Sequence, residues 1–281
     1  MHRSAVIIPT RANDGSVLDL LLSIAADNTL ENAAVVVVAN GPSIDEEIFA
    51  ALGDIEAVGA GTRIHLLRTE KPSKPRAINM GEEALGTAAE VTIYLDDDVS
   101  ILEGSIADLV DALARRGDRP TLAGPRRAPD PRDSGLAQMF ARSVLRPRWI
   151  REGVCLGGCY AVNRAGRLFW DSFPLIACDD EYVFSRFSHA DRLMVPACVV
   201  SHPFAGTLRE LLEQQGRWRQ ATDELHESGL AGPFVGTGRS RQDVLEEALR
   251  ARTLLGMIFV RGVRLWALAR GRREELVDGA W

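Results

Sequence analysis

Through the first 125 residues, short apolar, β-branched runs alternate with longer amphipathic stretches, the pattern of successive βαβ units. Strands are predicted over Ala5–Ile8, Ala34–Ala39, Arg63–Leu67, Val91–Leu95 and Thr121–Ala123. Helices are predicted between them, over Gly15–Asp27, Ser43–Leu52, Lys74–Leu85 and Gly104–Arg115. Mostly apolar strands separated by helices imply a parallel α/β sheet covered on both faces.

After Gly124 the periodicity loosens into a basic, proline-containing segment with Arg126, Arg127, Pro129, Pro131 and Arg132. Its irregularity suits a loop at an active site. A helical stretch near Leu136–Leu145 follows, then strand signals at Cys159–Val162 and Leu193–Val200 with a helix over Asp180–His189 between them. This second half extends the same sheet. A long helix from Leu208 to about Ser228 precedes a Gly/Pro/Ser break from Gly229 to Ser240, and Gln242–Arg270 is again helical. The expected organisation is one domain over 1–228, divided into a nucleotide-binding half (1–125) and a second half (126–228), with a linker and helical extension over 229–281.

Composition narrows the class. The 281 residues are 46% hydrophobic and 26% charged, enough for a substantial core and without a disordered arm. A net charge of −6 argues against general nucleic-acid binding, which needs a dominant basic face. Cys155, Cys159, Cys178 and Cys198 show no CxxC pairing and read as reduced thiols. Met1-His2-Arg3-Ser4 leads directly into a strand and is too brief for a signal peptide, so the expected location is the cytoplasm.

Candidate chemistry centres on Asp96-Asp97-Asp98, which follows the buried strand Val91–Leu95 and stands where open α/β sheets keep their ligands. In extended chain Asp96 and Asp98 point the same way and could converge on one cation, while Asp97 faces elsewhere. A divalent metal with a phosphate ligand would offset the repulsion among three carboxylates; a solvated acidic turn is the alternative. Pro9-Thr10-Arg11 ends the first strand as a donor-binding loop or a plain terminus. Lys74-Pro75-Arg76-Ala77-Ile78-Asn79-Met80-Gly81 offers two cations at a helix start, fit for a diphosphate or for solvent. Gly157-Gly158 allows close approach to the backbone, and Asp179-Asp180-Glu181 supplies more acids than helix capping needs. Gln214, Arg217 and Trp218, at i, i+3 and i+4, share one helix face.

These elements, in this order over residues 4–220, resemble a family 2 glycosyltransferase with the GT-A fold: a Rossmann-like, mostly parallel sheet flanked by helices. The resemblance implies that Asp96 and Asp98 hold Mg2+ or Mn2+ against the diphosphate of a nucleotide sugar. His202, in Val200-Ser201-His202-Pro203, either reaches that metal site from the last strand or is a satisfied structural histidine. The resemblance also implies donor contacts from Pro9, Thr10, Arg11, Asn40, Lys74, Arg76, Asn79, Asp96, Asp97 and Arg217. Gly157, Gly158, Asp179, Gln214 and Trp218 would border the acceptor. The spacing to Arg186 maps the family's general base onto Asp180, and direct displacement would invert the anomeric centre. UDP is the preferred nucleotide, although Val38-Ala39-Asn40-Gly41-Pro42-Ser43 lacks the aspartate that the family often uses there.

The segment Arg250–Arg273 mixes arginines with apolar residues, and its longest apolar run, Leu254–Val260, is far short of the roughly 20 residues that span a bilayer. Two readings stand: an amphipathic helix lying on the inner membrane face, suited to a lipid-linked acceptor, or a helix packed on protein. Two rival functions also stand. A sugar-phosphate nucleotidyltransferase would carry a glycine-rich basic loop after its first strand, which Pro9-Thr10-Arg11-Ala12-Asn13 is not. A silent nucleotide-sugar-binding scaffold would have no use for both acidic clusters.

Overall fold

The computed structural model describes residues 3–26, 33–58, 63–86, 89–133, 135–145, 154, 156–234 and 262. Among these residues there are eight strands: β1 (Ser4–Thr10), β2 (Ala33–Asn40), β3 (Arg63–Thr69), β4 (Val91–Leu95), β5 (Ser100–Ile101), β6 (Leu122–Ala128), β7 (Cys159–Asn163) and β8 (Arg192–Ser201). The helices are α1 (Ser16–Ala26), α2 (Glu46–Val58), α3 (Lys74–Leu85), α4 (Ser105–Ala114), α5 (Gly135–Leu145), α6 (Arg164–Arg167), α7 (Asp179–Phe184) and α8 (Leu208–Glu227). One sheet runs in the order β3-β2-β1-β4-β7-β6-β8-β5.

The expected parallel half is β3-β2-β1-β4. β1 and β2 are buried along their whole length, so both faces are apolar and both must be covered. On one face α1 and α4 deliver Val17, Leu21, Ile24, Ile106, Leu109 and Leu113 against Val6, Ile8, Val35 and Val37. On the other, Ile7 and Tyr94 meet Ile78 of α3 and the aromatic residues Trp170, Phe173, Tyr182 and Phe187. Each such side chain, fully buried, stabilises the fold by about 1.5–3 kcal/mol. Close packing explains Gly81: a Cβ there would lie 2.7 Å from Ile7 Cγ2, so α3 approaches the sheet only with glycine at that turn.

The second half extends the sheet but changes its sense. β7 is antiparallel to both β4 and β6, and β8 is parallel to β6 and antiparallel to β5. The first part of the basic segment expected as a loop is strand instead, since β6 pairs with β8 through Arg126, Arg127 and Ala128, whereas Pro129, Pro131 and Arg132 lie in an irregular turn as expected. A register shift between Pro125 and Arg126 absorbs the proline and lets pairing resume beyond it. The helix expected over Asp180–His189 stops at Phe184. Ser185 O, which a continuing helix would offer to residue 189, accepts from Phe234 N at 2.9 Å. Leu208–Glu227 is helical as expected and opens with a capping box between Thr207 and Glu210. The predicted helix over Gln242–Arg270 falls outside the described residues, except for Gly262, and so does Cys155.

Candidate active site

Local chemistry brings three chain ends to one edge of the sheet. Asn40, at the end of β2, is buried and uses its amide twice: Nδ2 donates to Thr10 O at 2.9 Å, and Oδ1 accepts from Ser73 N at 3.2 Å. Ser73 caps α3 by accepting from Arg76 N, and Pro75 fits the first turn, where its missing N–H has no helical partner to lose. The first residue of α3, Lys74, is thereby fixed over the end of β4. Pro9, still within β1, pairs with Val38 of β2 beyond the last residue that β1 shares with β4.

The three aspartates after β4 are answered one by one. Lys74 Nζ lies 2.7 Å from Asp96 Oδ1. Thr10 Oγ1 donates to Asp97 Oδ2 at 2.6 Å and accepts from Ala12 N. His202, just beyond β8, places Nε2 3.0 Å from Asp98 Oδ2. Asp97 indeed faces away from its neighbours, toward β1. Burial pushes the Asp97 carboxyl up to about 6, the Thr10 hydrogen bond opposes this, and the charges of Asp98 and Asp96 add to it. Burial acts the same way on Asp98, but the hydrogen bond and charge of His202 and the charge of Lys74 outweigh it and hold Asp98 below its ordinary value. His202 is correspondingly raised, burial notwithstanding, by its hydrogen bond to Asp98.

The second acidic cluster closes the same cleft. Lys74 Nζ also lies 3.0 Å from Asp179 Oδ1, and Tyr160 of β7 donates its hydroxyl to Asp179 Oδ2 at 3.0 Å. Burial pulls the lysine pKa down, yet Asp179, Asp96 and Asp180 together hold it well above its ordinary value. Asp179 is therefore buried and fully engaged. Asp180 is more open and, among the described residues, accepts only the Glu181 amide, at 2.8 Å. Burial, then the charge of Asp179, push Asp180 up to about 6 against the opposing charge of Lys74.

Gly158 shapes the floor between the clusters. Its O accepts from Asp96 N at 2.8 Å, and its φ of +81° favours glycine. A Cβ there would lie 3.5 Å from His202 Cδ2 and 3.7 Å from Asp96 Oδ2, so the missing side chain keeps the space between Asp96 and His202 open. Two carboxylates and an imidazole around that space are a donor set that fits Mg2+ or Mn2+, cations that take one or two carboxylates plus ligand phosphates. As placed they are not gathered on one point: Asp96 is engaged by Lys74 and Asp98 by His202, and among the described residues no three His, Cys, Asp or Glu side chains are grouped so as to hold a metal ion.

Not every expected residue reaches the cleft. Asn79 Nδ2 donates to Phe173 O and its Oδ1 accepts from Phe173 N, so its amide clamps the loop before α7. Arg217 and Trp218 are exposed, and among the described residues no ion pair links Arg217 to the acids. The buried stripe of α8 passes through Leu211, Gln215, Ala221 and Leu225 instead, and Gln214 Oε1 is buried without a hydrogen-bond partner. Arg11, just after β1, and Arg76, in the first turn of α3, are half-buried.

Sequence reasoning assigned no role to Tyr160, although it lies two residues from Gly158 on the same strand. It also gave none to the Asp130–Arg132 pair, whose guanidinium donates to Asp98 O at 3.0 Å and steadies the acidic turn. An Arg two residues from an Asp in a proline-rich segment was the available signal.

The fold is that of GT-A glycosyltransferase structures. A mannosyltransferase from Pyrobaculum calidifontis, PcManGT, solved with GDP-Man and Mn2+, aligns over 98% of this chain and 76% of its own with a TM-score of 0.61 and 19% identity. Glucosyl-3-phosphoglycerate synthase from Mycobacterium tuberculosis, solved with Mn2+, UDP-Glc and phosphoglyceric acid, aligns over 86% and 85% with a TM-score of 0.53 and 18% identity. TarS of S. aureus, residues 1–349 with UDP-GlcNAc, aligns over 82% and 70% with a TM-score of 0.50 and 15% identity. No protein-family profile and no curated protein sequence matches the chain. Among the described residues no helix is long and apolar enough to cross a membrane.

Proposed function

We propose that this chain is an inverting family 2 glycosyltransferase, moving a sugar from a nucleotide-diphosphate donor, a UDP-sugar first among candidates, to an acceptor hydroxyl. The observation that carries the reading is Lys74: one ammonium bridges Asp96, from the first acidic cluster, and Asp179, from the second. It joins the side where a diphosphate would sit to the side where a proton would leave.

Asp180 is the general base of this reading. Asp179 is committed to Lys74 and Tyr160, whereas Asp180 has one amide contact and a pKa raised toward neutrality by burial and by Asp179. An acceptor hydroxyl is a poor nucleophile until a carboxylate removes its proton, and a base near 6 is ionised at neutral pH while still basic enough to act. Asp96 and Asp98, with His202, would hold the divalent cation, which stabilises negative charge on the departing nucleotide. Thr10, held by Asn40 and bonded to Asp97, frames the nucleotide side. Complexes of similar folds with GDP-Man, UDP-GlcNAc and UDP-Glc support a nucleotide sugar as donor.

The test is a thermal-shift screen of UDP, GDP and their sugars with and without Mn2+, followed by transfer assays with the donor that binds. A metal-dependent rise in melting temperature is expected for one nucleotide class. If no nucleotide moves the melting temperature, the reading is wrong.

A further inference from the structure

Arg127 is a half-buried cation that no carboxylate pairs with among the described residues, and its Nε is buried without a hydrogen-bond partner. Other arginines are answered: Arg68 by Glu46, Arg119 by Asp191, Arg132 by Asp130 and Arg167 by Glu82. Leaving a guanidinium partly desolvated and unpaired is costly, and an anion would offset that cost.

Its setting is fixed from three sides. The guanidinium lies over the Phe204 ring, 5.6 Å from the centroid, which sets its plane. A Cβ on Gly157 would come within 2.5 Å of Nη1, so the glycine lets the guanidinium lie directly against the backbone. The next residue, Gly158, lies against His202 and Asp96, so the guanidinium stands beside the acidic cleft. Arg126, next in sequence, is exposed and donates to Pro196 O. The pair thus divides between the two faces of β6.

Position decides what kind of anion is meant. β6 is separated from β4 by β7, so Arg127 stands about two strand spacings, roughly 10 Å, from the β4 end on the side away from β1, β2 and β3. A donor diphosphate at Asp96–Asp98 falls on the near side of Gly157-Gly158, and Arg127 lies on the far side. We propose that Arg127 binds a phosphate carried by the acceptor, its fork of N–H groups taking two oxygens while Phe204 holds it flat. This rests on the transferase reading and narrows its acceptor to a hydroxyl compound that bears a phosphate.

The test is calorimetric titration of the full chain with inorganic phosphate and with glycerol 3-phosphate, each alone and with UDP or GDP plus Mg2+ present. Sedimentation with vesicles containing phosphatidic acid separates a lipid-borne phosphate from a soluble one. Binding of either form is expected, weakened about tenfold or more in Arg127→Gln and partly kept in Arg127→Lys, with nucleotide affinity unchanged in both. Arg127→Lys keeps the charge and serves as the folding control, checked by circular dichroism. Phosphate binding that is absent from the native chain, or equal in Arg127→Gln, overturns the proposal. So does loss of nucleotide affinity in the variant, which would assign the cation to the donor. A native chain that binds no nucleotide refutes the transferase reading itself, and Arg127-dependent phosphate binding would then have no acceptor role.

Discussion

Tyr160 donates its hydroxyl to Asp179 Oδ2 at 3.0 Å, from a ring that stacks on Tyr94 at 4.7 Å between centroids. The contact fixes the carboxylate at the start of α7 to the strand that leaves the Gly157-Gly158 turn. Asp179 can then hold Lys74 without swinging into the space before Asp180.

Lys74→Met is expected to cost about 3 kcal/mol in chemical denaturation, because it leaves Asp179 buried beside Asp96 with no countercharge. A loss below about 1 kcal/mol would mean that the ammonium is not a bridge in solution.

Asp180 gives the pH dependence its sign. A base raised to about 6 is protonated below that value, so transfer falls as pH drops through 6. Initial rates from pH 5 to 8 decide this.

Asp180→Asn should lower transfer by about 10²–10⁴-fold while keeping donor affinity. The same substitution should raise thermal stability at pH 7. A carboxyl with a raised folded pKa contributes stability below its ordinary value near 3.8, and that contribution is lost as pH rises through about 6. A neutral amide escapes the loss. Lower activity without a higher melting temperature would place Asp180 outside a desolvated site.

Asp98→Ala and His202→Ala should each weaken Mn2+-dependent nucleotide binding by roughly tenfold or more, and a chelator should weaken the native chain likewise. Calorimetry with equal affinities in all three cases would remove the metal from the site.

Asp130 is held down to about 2, chiefly by the Arg132 side chain, with help from the Arg132 amide and Ser201. Its contribution to stability is full above its ordinary value near 3.8 and is lost as pH falls through 2. Asp130→Asn should therefore cost about 2 kcal/mol at pH 7, with the difference from the native chain closing near pH 2 in urea titrations.

What was legible in the sequence was local. Val91–Leu95 declares a buried strand by composition, and Lys74–Leu85 declares a helix by the proline and small residues of its first turns. The acidic clusters announced themselves by having more charge than a turn or a cap requires. Partners were not legible. Nothing in Cys159–Asn163 says that it runs antiparallel between β4 and β6, since alternation fixes faces and not neighbours. Pro125 read as the end of regular structure because the shifted register that accommodates it belongs to β8 as much as to β6. The resemblance implies donor contacts from Asn40 and Asn79, but the backbone partners that their amides hold, Thr10 and Ser73 for one and Phe173 for the other, are set by the fold and could not be read from the chain.

The late arrival of β7 also imposes an order on synthesis. Strands β1 to β4 are complete once Leu95 has left the ribosome, but the free side of β4 has no neighbour until Cys159–Asn163 follows. During that interval a row of unpaired backbone groups on Val91-Thr92-Ile93-Tyr94-Leu95 is open to other chains. A fragment that ends before Cys159 should aggregate, whereas one that includes Asn163 closes its own edge.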